Sequence, residues 1–189
     1  MLRLQKLANV NKRRTLRAMY AQTQAYPYAA TLASSVSRTA TDPFSGTEAG
    51  KAAIWPGMVA VKATGEDVKV ADAATARAFG LFANFVGGEL DELGDRSEVG
   101  VWRGPGAVFE VLSPVIGGTV AGASDPDQST HANEVFLGAD SAGRLEKLTI
   151  ADTVPPFGDD VTTLGSSNRP AARLVERLSS SAIVVELLV

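Results

Sequence analysis

The stretch "EVGVWRGPGAVFEVL", Glu98 to Leu112, decides the fold class. Two short runs flank Gly104-Pro105-Gly106. In the first, Val99 and Val101 share one face and Trp102 lies on the other. In the second, Phe109 and Val111 share a face, with Val108 and Leu112 opposite. Apolar residues at a period of two are the pattern of a half-buried strand. Gly-Pro-Gly supplies the turn chemistry. The stretch is therefore predicted to be a β-hairpin, with no Ser–His pair, Cys or metal-ligand spacing beside it.

The same pattern continues in both directions. "AIWPGMVAVKA" predicts a strand entered through a Pro-Gly turn, with Met58, Ala60 and Lys62 on one face and Val59, Val61 and Ala63 on the other. Val68 and Val70 alternate with polar neighbours, and "ARAFGLFANFV" is apolar enough for a buried strand, with a helical turn left open. "EVFLGADSAGRLEKLTI" predicts a hairpin turning at Asp140 to Gly143. Near the end, Ala171, Leu174, Val175 and Leu178 match a helix face, but Ile183 to Val189 is strand-like, and a hairpin around Ser179 to Ser181 is the preferred reading. Many short strands with Gly and Pro between them indicate a mainly β fold: a compact β-barrel or β-sandwich-like body with an extended N-terminal arm. The body is placed at 51–189. The loop-like stretch Gly117 to Asn133 leaves open whether it forms one lobe or two.

The arm, 1–50, differs in composition and charge. Arg3, Lys6, Lys12, Arg13, Arg14, Arg17 and Arg38 precede the first acidic residue, Asp42. The first 41 residues thus carry +7, and the rest carries 11 basic against 21 acidic residues, or −10. Leu2, Leu4, Leu7 and Val10, with Leu16 and Met19, fit a short amphipathic helix only loosely. From Ala21 to Gly50 the chain is rich in Ala, Ser and Thr. It has too few large apolar side chains to offset the entropy of ordering, so alone it is expected to be extended or disordered. Tyr20, Tyr26, Tyr28 and Phe44 favour an arm that orders on a partner.

Composition excludes several classes of chemistry. There is no Cys, so disulfides and thiol catalysis are out and the redox compartment is undetermined. No apolar run approaches the roughly 20 residues needed to span a bilayer. The N-terminus mixes apolar and basic residues without a signal-peptide core, which points to synthesis in the cytoplasm. His131 is the single histidine. With Asp125, Asp127 and Glu134 it makes a poor zinc set, since such sites want three or four strong ligands. Glu89, Asp91, Glu92 and Asp95 lack the alternating spacing of a calcium loop. "GVWRGPG" is neither a phosphate-cradling loop nor a dinucleotide fingerprint. No catalytic, metal or cofactor-binding residue is assigned, and the chain is read as a non-enzyme.

At Ala78 to Leu112 the sequence resembles the central segment of head decoration (cement) proteins of tailed bacteriophages. The matching positions are Gly80, Leu81, Ala83 and Asn84, then Gly100, Val101, Trp102, Gly104 and Gly106. "RLVERLSSSAIVVELLV" is similar to the closing strands of such proteins. The resemblance implies a β-rich structural protein of the virion, made in the host cytoplasm, that binds the outer surface of the capsid. It implies the major capsid protein as partner, stabilisation of the expanded shell, and a homo-oligomer, with a trimer favoured. Under that reading the arm contacts are Lys12, Arg13, Arg14, Arg17, Tyr20, Tyr26 and Tyr28, with Trp102 on the exposed side of the hairpin. A tail or head-completion protein shares the same build. A nucleic-acid-binding module led by the basic arm is the weaker alternative, because the acidic body repels a polyanion.

Overall fold

Alternation in sequence becomes alternation in burial. In the strand Glu98–Trp102, Val99 and Val101 are buried, and in Val108–Leu112, Phe109 and Val111 are fully buried. The computed structural model describes residues 15–18, 27–36, 53–72, 77–87, 98–121, 135–148 and 170–189. Within them run β1 (Leu16–Ala18), β2 (Tyr28–Thr31), β3 (Val59–Lys62), β4 (Val68–Val70), β5 (Ala78–Phe82), β6 (Glu98–Trp102) and β7 (Val108–Leu112). A single helical turn, α1 (Gly118–Ala121), precedes β8 (Phe136–Ala139), β9 (Leu145–Lys147), β10 (Ala172–Ser179) and β11 (Ala182–Leu187).

The strands form two antiparallel sheets. Sheet I has six strands in the order β1-β7-β11-β10-β8-β9, and sheet II has five in the order β2-β6-β5-β3-β4. The arrangement is sandwich-like, and the described strands do not close into a barrel. Sheet II nevertheless curls: beyond β2, Leu32 bridges Val68 of β4, and Ala33 N–H donates to the Val68 carbonyl at 2.8 Å. The two edges of that sheet therefore meet at one point.

The stretch that decided the fold class is not a hairpin. β6 pairs with β2 and β5, whereas β7 pairs with β1 and β11, so the chain passes from one sheet to the other between them. The connecting backbone is satisfied elsewhere. Gly104 N–H donates to the Val189 carbonyl at 2.6 Å, Gly106 N–H to Leu187 at 3.0 Å, and Leu187 N–H to Ala107 at 2.8 Å. Gly104 and Gly106 both take positive φ (109° and 87°), a region costly for residues with a Cβ. The Trp102 ring then lies 5.2 Å from Phe109, a contact from sheet II to sheet I. A hairpin and an inter-sheet arch show the same alternation, so the pattern alone does not separate them.

Two segments from the first fifty residues are strands of these sheets. β1 pairs with β7 (Leu16↔Val111, Ala18↔Phe109), and β2 pairs with β6 (Tyr28↔Val101, Ala30↔Val99). The loose helical pattern therefore does not hold at Leu16, which is buried in a strand; positions 2, 4, 7, 10 and 19 lie outside the described residues. Pairing with β7 overrides the local preference. The Thr15 carbonyl accepts from Leu112 N–H at 2.8 Å, and the buried Thr15 hydroxyl donates to the Pro56 carbonyl.

The remaining hairpins form where the sequence placed them. β8 and β9 turn at Asp140, whose Oδ1 accepts from Ala142 and Arg144 N–H at 2.8 Å each. β10 and β11 form the terminal hairpin rather than a helix. Residues on both sides of 117–133 enter sheet I and one apolar cluster, which includes Trp55, Phe82, Phe109, Leu137, Leu174 and Ile183. The β8–β9 turn also reaches sheet II, where Val59 N–H donates to the Gly143 carbonyl at 2.8 Å.

Candidate functional site

The residues shared with the cement pattern support the backbone. Gly80 sits where β5 meets β6, and a Cβ built there falls inside contact distance of the Trp102 carbonyl oxygen and 2.6 Å from Val101 Cγ1. Leu81 is fully buried. Ala83 N–H donates to the Gly100 carbonyl at 2.9 Å, and Asn84 Oδ1 accepts from Gly100 N–H at 2.8 Å. The two halves of the motif are thus bonded to each other across the sheet.

Aromatic and basic side chains collect at one end of sheet II. Directly paired residues share a face of a sheet, and neighbours along a strand alternate. Tyr28 pairs with Val101, so Tyr28 lies on the face opposite Trp102, and Arg103 returns to the Tyr28 side. The start of β2, the end of β6, the start of β5 and the end of β3 fall at the same end in this register. There Arg103 lies 3.9 Å from the Phe79 ring centroid and 5.7 Å from that of Tyr28. Lys62, from the strand on the other side of β5, places Nζ 4.5 Å from the Phe79 ring. Tyr28 and Phe79 meet edge to face at 6.0 Å. Cations over aromatic faces contribute on the order of 0.5–1 kcal/mol at exposed sites, which favours this arrangement a few-fold.

Electrostatically the row is uneven. Lys62 Nζ is 2.6 Å from Glu66 Oε2, and the hydrogen bond, with the ammonium charge behind it, holds the Glu66 carboxyl below its usual range. Lys69 does the same for Asp72. Arg103 donates from Nε to the Phe79 carbonyl at 3.0 Å, and among the described residues no carboxylate pairs with it.

Of the residues singled out from sequence, the three described ones lie in different places. Tyr28 is in the row and is 46% exposed. Arg17 is on sheet I, with its side chain 61% exposed and 3.0 Å from Glu110. Trp102 is half-buried between the sheets. Lys12, Arg13, Arg14, Tyr20 and Tyr26 lie outside the described residues, as do His131 and the acidic run Glu89 to Asp95. Nothing local in the sequence marks Phe79, Lys62 and Arg103, because only the strand register brings them to Tyr28.

A family model described as phage cement protein matches residues 1–154. The chain belongs to the phage cement protein family. It is therefore a structural, capsid-associated protein of the virion. No curated protein and no solved structure matches the chain. Among the described residues no helix is long and apolar enough to cross a membrane, and no cluster of His, Asp or Glu could hold a metal ion. The match stops short of β10 and β11, yet this cement protein places those two strands at the centre of sheet I.

Proposed function

We propose that this cement protein binds the outer surface of a phage capsid and stabilises the expanded shell, with the major capsid protein as its partner. Family membership over residues 1–154 carries the reading. It is made in the host cytoplasm and acts on the capsid surface as a homo-oligomer, with a trimer favoured. The charge division supports a role for the N-terminal segment: +7 over the first 41 residues suits an acidic partner face. Lys12, Arg13, Arg14, Arg17, Tyr20, Tyr26 and Tyr28 are the arm contacts of this reading, and the solvent-facing part of Trp102 is a further one. A ligand that prefers the expanded shell stabilises that form by linkage, in proportion to occupancy.

Copy number distinguishes this from a tail or head-completion role. Quantitative mass spectrometry of purified heads is expected to give a simple fixed ratio to the major shell protein. A handful of copies per particle would place the protein at the tail or a unique vertex instead.

A further inference from the structure

Arg103 is held in place without an acidic partner. Its Nε donates to the Phe79 carbonyl at 3.0 Å, and its guanidinium lies 3.9 Å from the Phe79 ring. Those contacts fix one edge and one face of a planar group with five N–H donors, leaving the terminal nitrogens for another acceptor. Five other cations among the described residues already face a carboxylate. Arg17 faces Glu110, Lys62 faces Glu66, Lys69 faces Asp72, Arg144 faces Asp140 and Arg173 faces Glu186. Beside Arg103 stands Tyr28, 46% exposed; among the described residues only Leu178 is a comparably exposed large hydrophobic side chain. A positioned arginine next to an exposed tyrosine is the composition of an interface hot spot, where a few side chains supply most of the binding energy.

We infer that Arg103 is the anchor for a carboxylate of the shell protein, taken in a forked hydrogen-bonded pair, with Tyr28 packing against the same segment. This rests on the reading that the protein binds the capsid. Charge complementarity selects the occupant. The fork of a guanidinium matches a carboxylate in two parallel N–H···O bonds, and pre-ordering by Phe79 lowers the entropy lost on pairing. Lys62 sits in the same row, but Glu66 already answers its charge, whereas Arg103 has no carboxylate against it among the described residues.

The test titrates the full-length chain onto purified heads that lack it, at two salt concentrations, and compares wild type with Arg103→Gln, Arg103→Lys and Tyr28→Ala. Thermal melting and sedimentation of each free variant are recorded alongside. Arg103→Gln is expected to weaken binding about tenfold or more and to flatten the salt dependence. Arg103→Lys falls between, since it keeps the charge and the contact with Phe79 but not the fork. Tyr28→Ala weakens binding with an unchanged melting temperature. Heads that bind Arg103→Gln as tightly as wild type overturn the inference. So does a loss of binding that follows the melting temperature equally in both Arg103 variants, since Arg103 is then only a support for Phe79. An altered oligomeric state in Arg103→Gln moves the carboxylate to a second copy and overturns the shell assignment. Wild type that fails to bind heads at all overturns the functional reading itself, a result distinct from any of these.

Discussion

A chain ended at residue 169 is expected to lose cooperative unfolding altogether. The residues removed form β10 and β11, which lie between β7 and β8 in sheet I. Removing them leaves two separated pairs, β1-β7 and β8-β9, with unpaired backbone along both inner edges. The lost side chains include Leu174, Ile183, Val184, Val185 and Leu187, all buried. Burial of an aliphatic side chain is worth roughly 1.5–3 kcal/mol, so the five together supply about 10 kcal/mol. That is comparable to the whole stability of a typical domain, about 5–15 kcal/mol. The arch also fails, because Gly104, Gly106 and Ala107 all bond to Leu187 or Val189. Circular dichroism with a urea titration reads the outcome directly. A sharp transition with native strand content in the shortened chain would show that the family-matched part folds by itself.

Gly80→Ala is expected to cost about 3 kcal/mol or more, since overpacking of a filled site costs typically 1–3 kcal/mol when flexible side chains can yield. Here the nearest obstacle is the Trp102 carbonyl oxygen, which is fixed by the sheet, with Val101 Cγ1 at 2.6 Å and Arg103 Cγ at 3.0 Å behind it. Relief requires β5 and β6 to move apart, which breaks the pairs Leu81↔Trp102 and Phe82↔Val101. Gly118→Ala is the matched control: no atom lies within 4 Å of a Cβ there, and its effect should stay within about 0.5 kcal/mol. Chemical denaturation of both variants measures the difference. Equal midpoints for the two would show that the two strands have more room than their register implies.

The sequence supports strand existence better than strand partnership. Val99, Val101, Phe109 and Val111 announce two strands and the faces they bury, because burial follows the two-residue period. The partner of each strand is invisible to that period. The Glu98 to Leu112 stretch reads as a hairpin and is an arch, since what decides it is where the N–H groups of Gly104 and Gly106 find acceptors. Those acceptors, Val189 and Leu187, come from the far end of the chain.

The same limit governs the candidate site. Tyr28 stands out as an aromatic in a segment poor in large apolar residues, and it is legible for that reason. Phe79 reads as core within "AFGLF", Lys62 as an ordinary strand-end charge, and Arg103 as part of a turn. Their convergence depends on three registers at once, β2 with β6, β6 with β5 and β5 with β3, none of which is written locally. Arg17 shows the converse. Its place in a basic run suggests a free charge, but β1 pairs with β7 and sets it opposite Glu110.

The central claim is that this protein stabilises a phage shell from outside, and DNA release on heating tests it most directly. Purified expanded heads lacking the protein are mixed with increasing amounts of the full-length chain, and release is followed by dye fluorescence. The account predicts a release temperature that rises with occupancy and levels off when the binding sites are filled. Heads that bind the protein to saturation yet release DNA at the unoccupied temperature would contradict it.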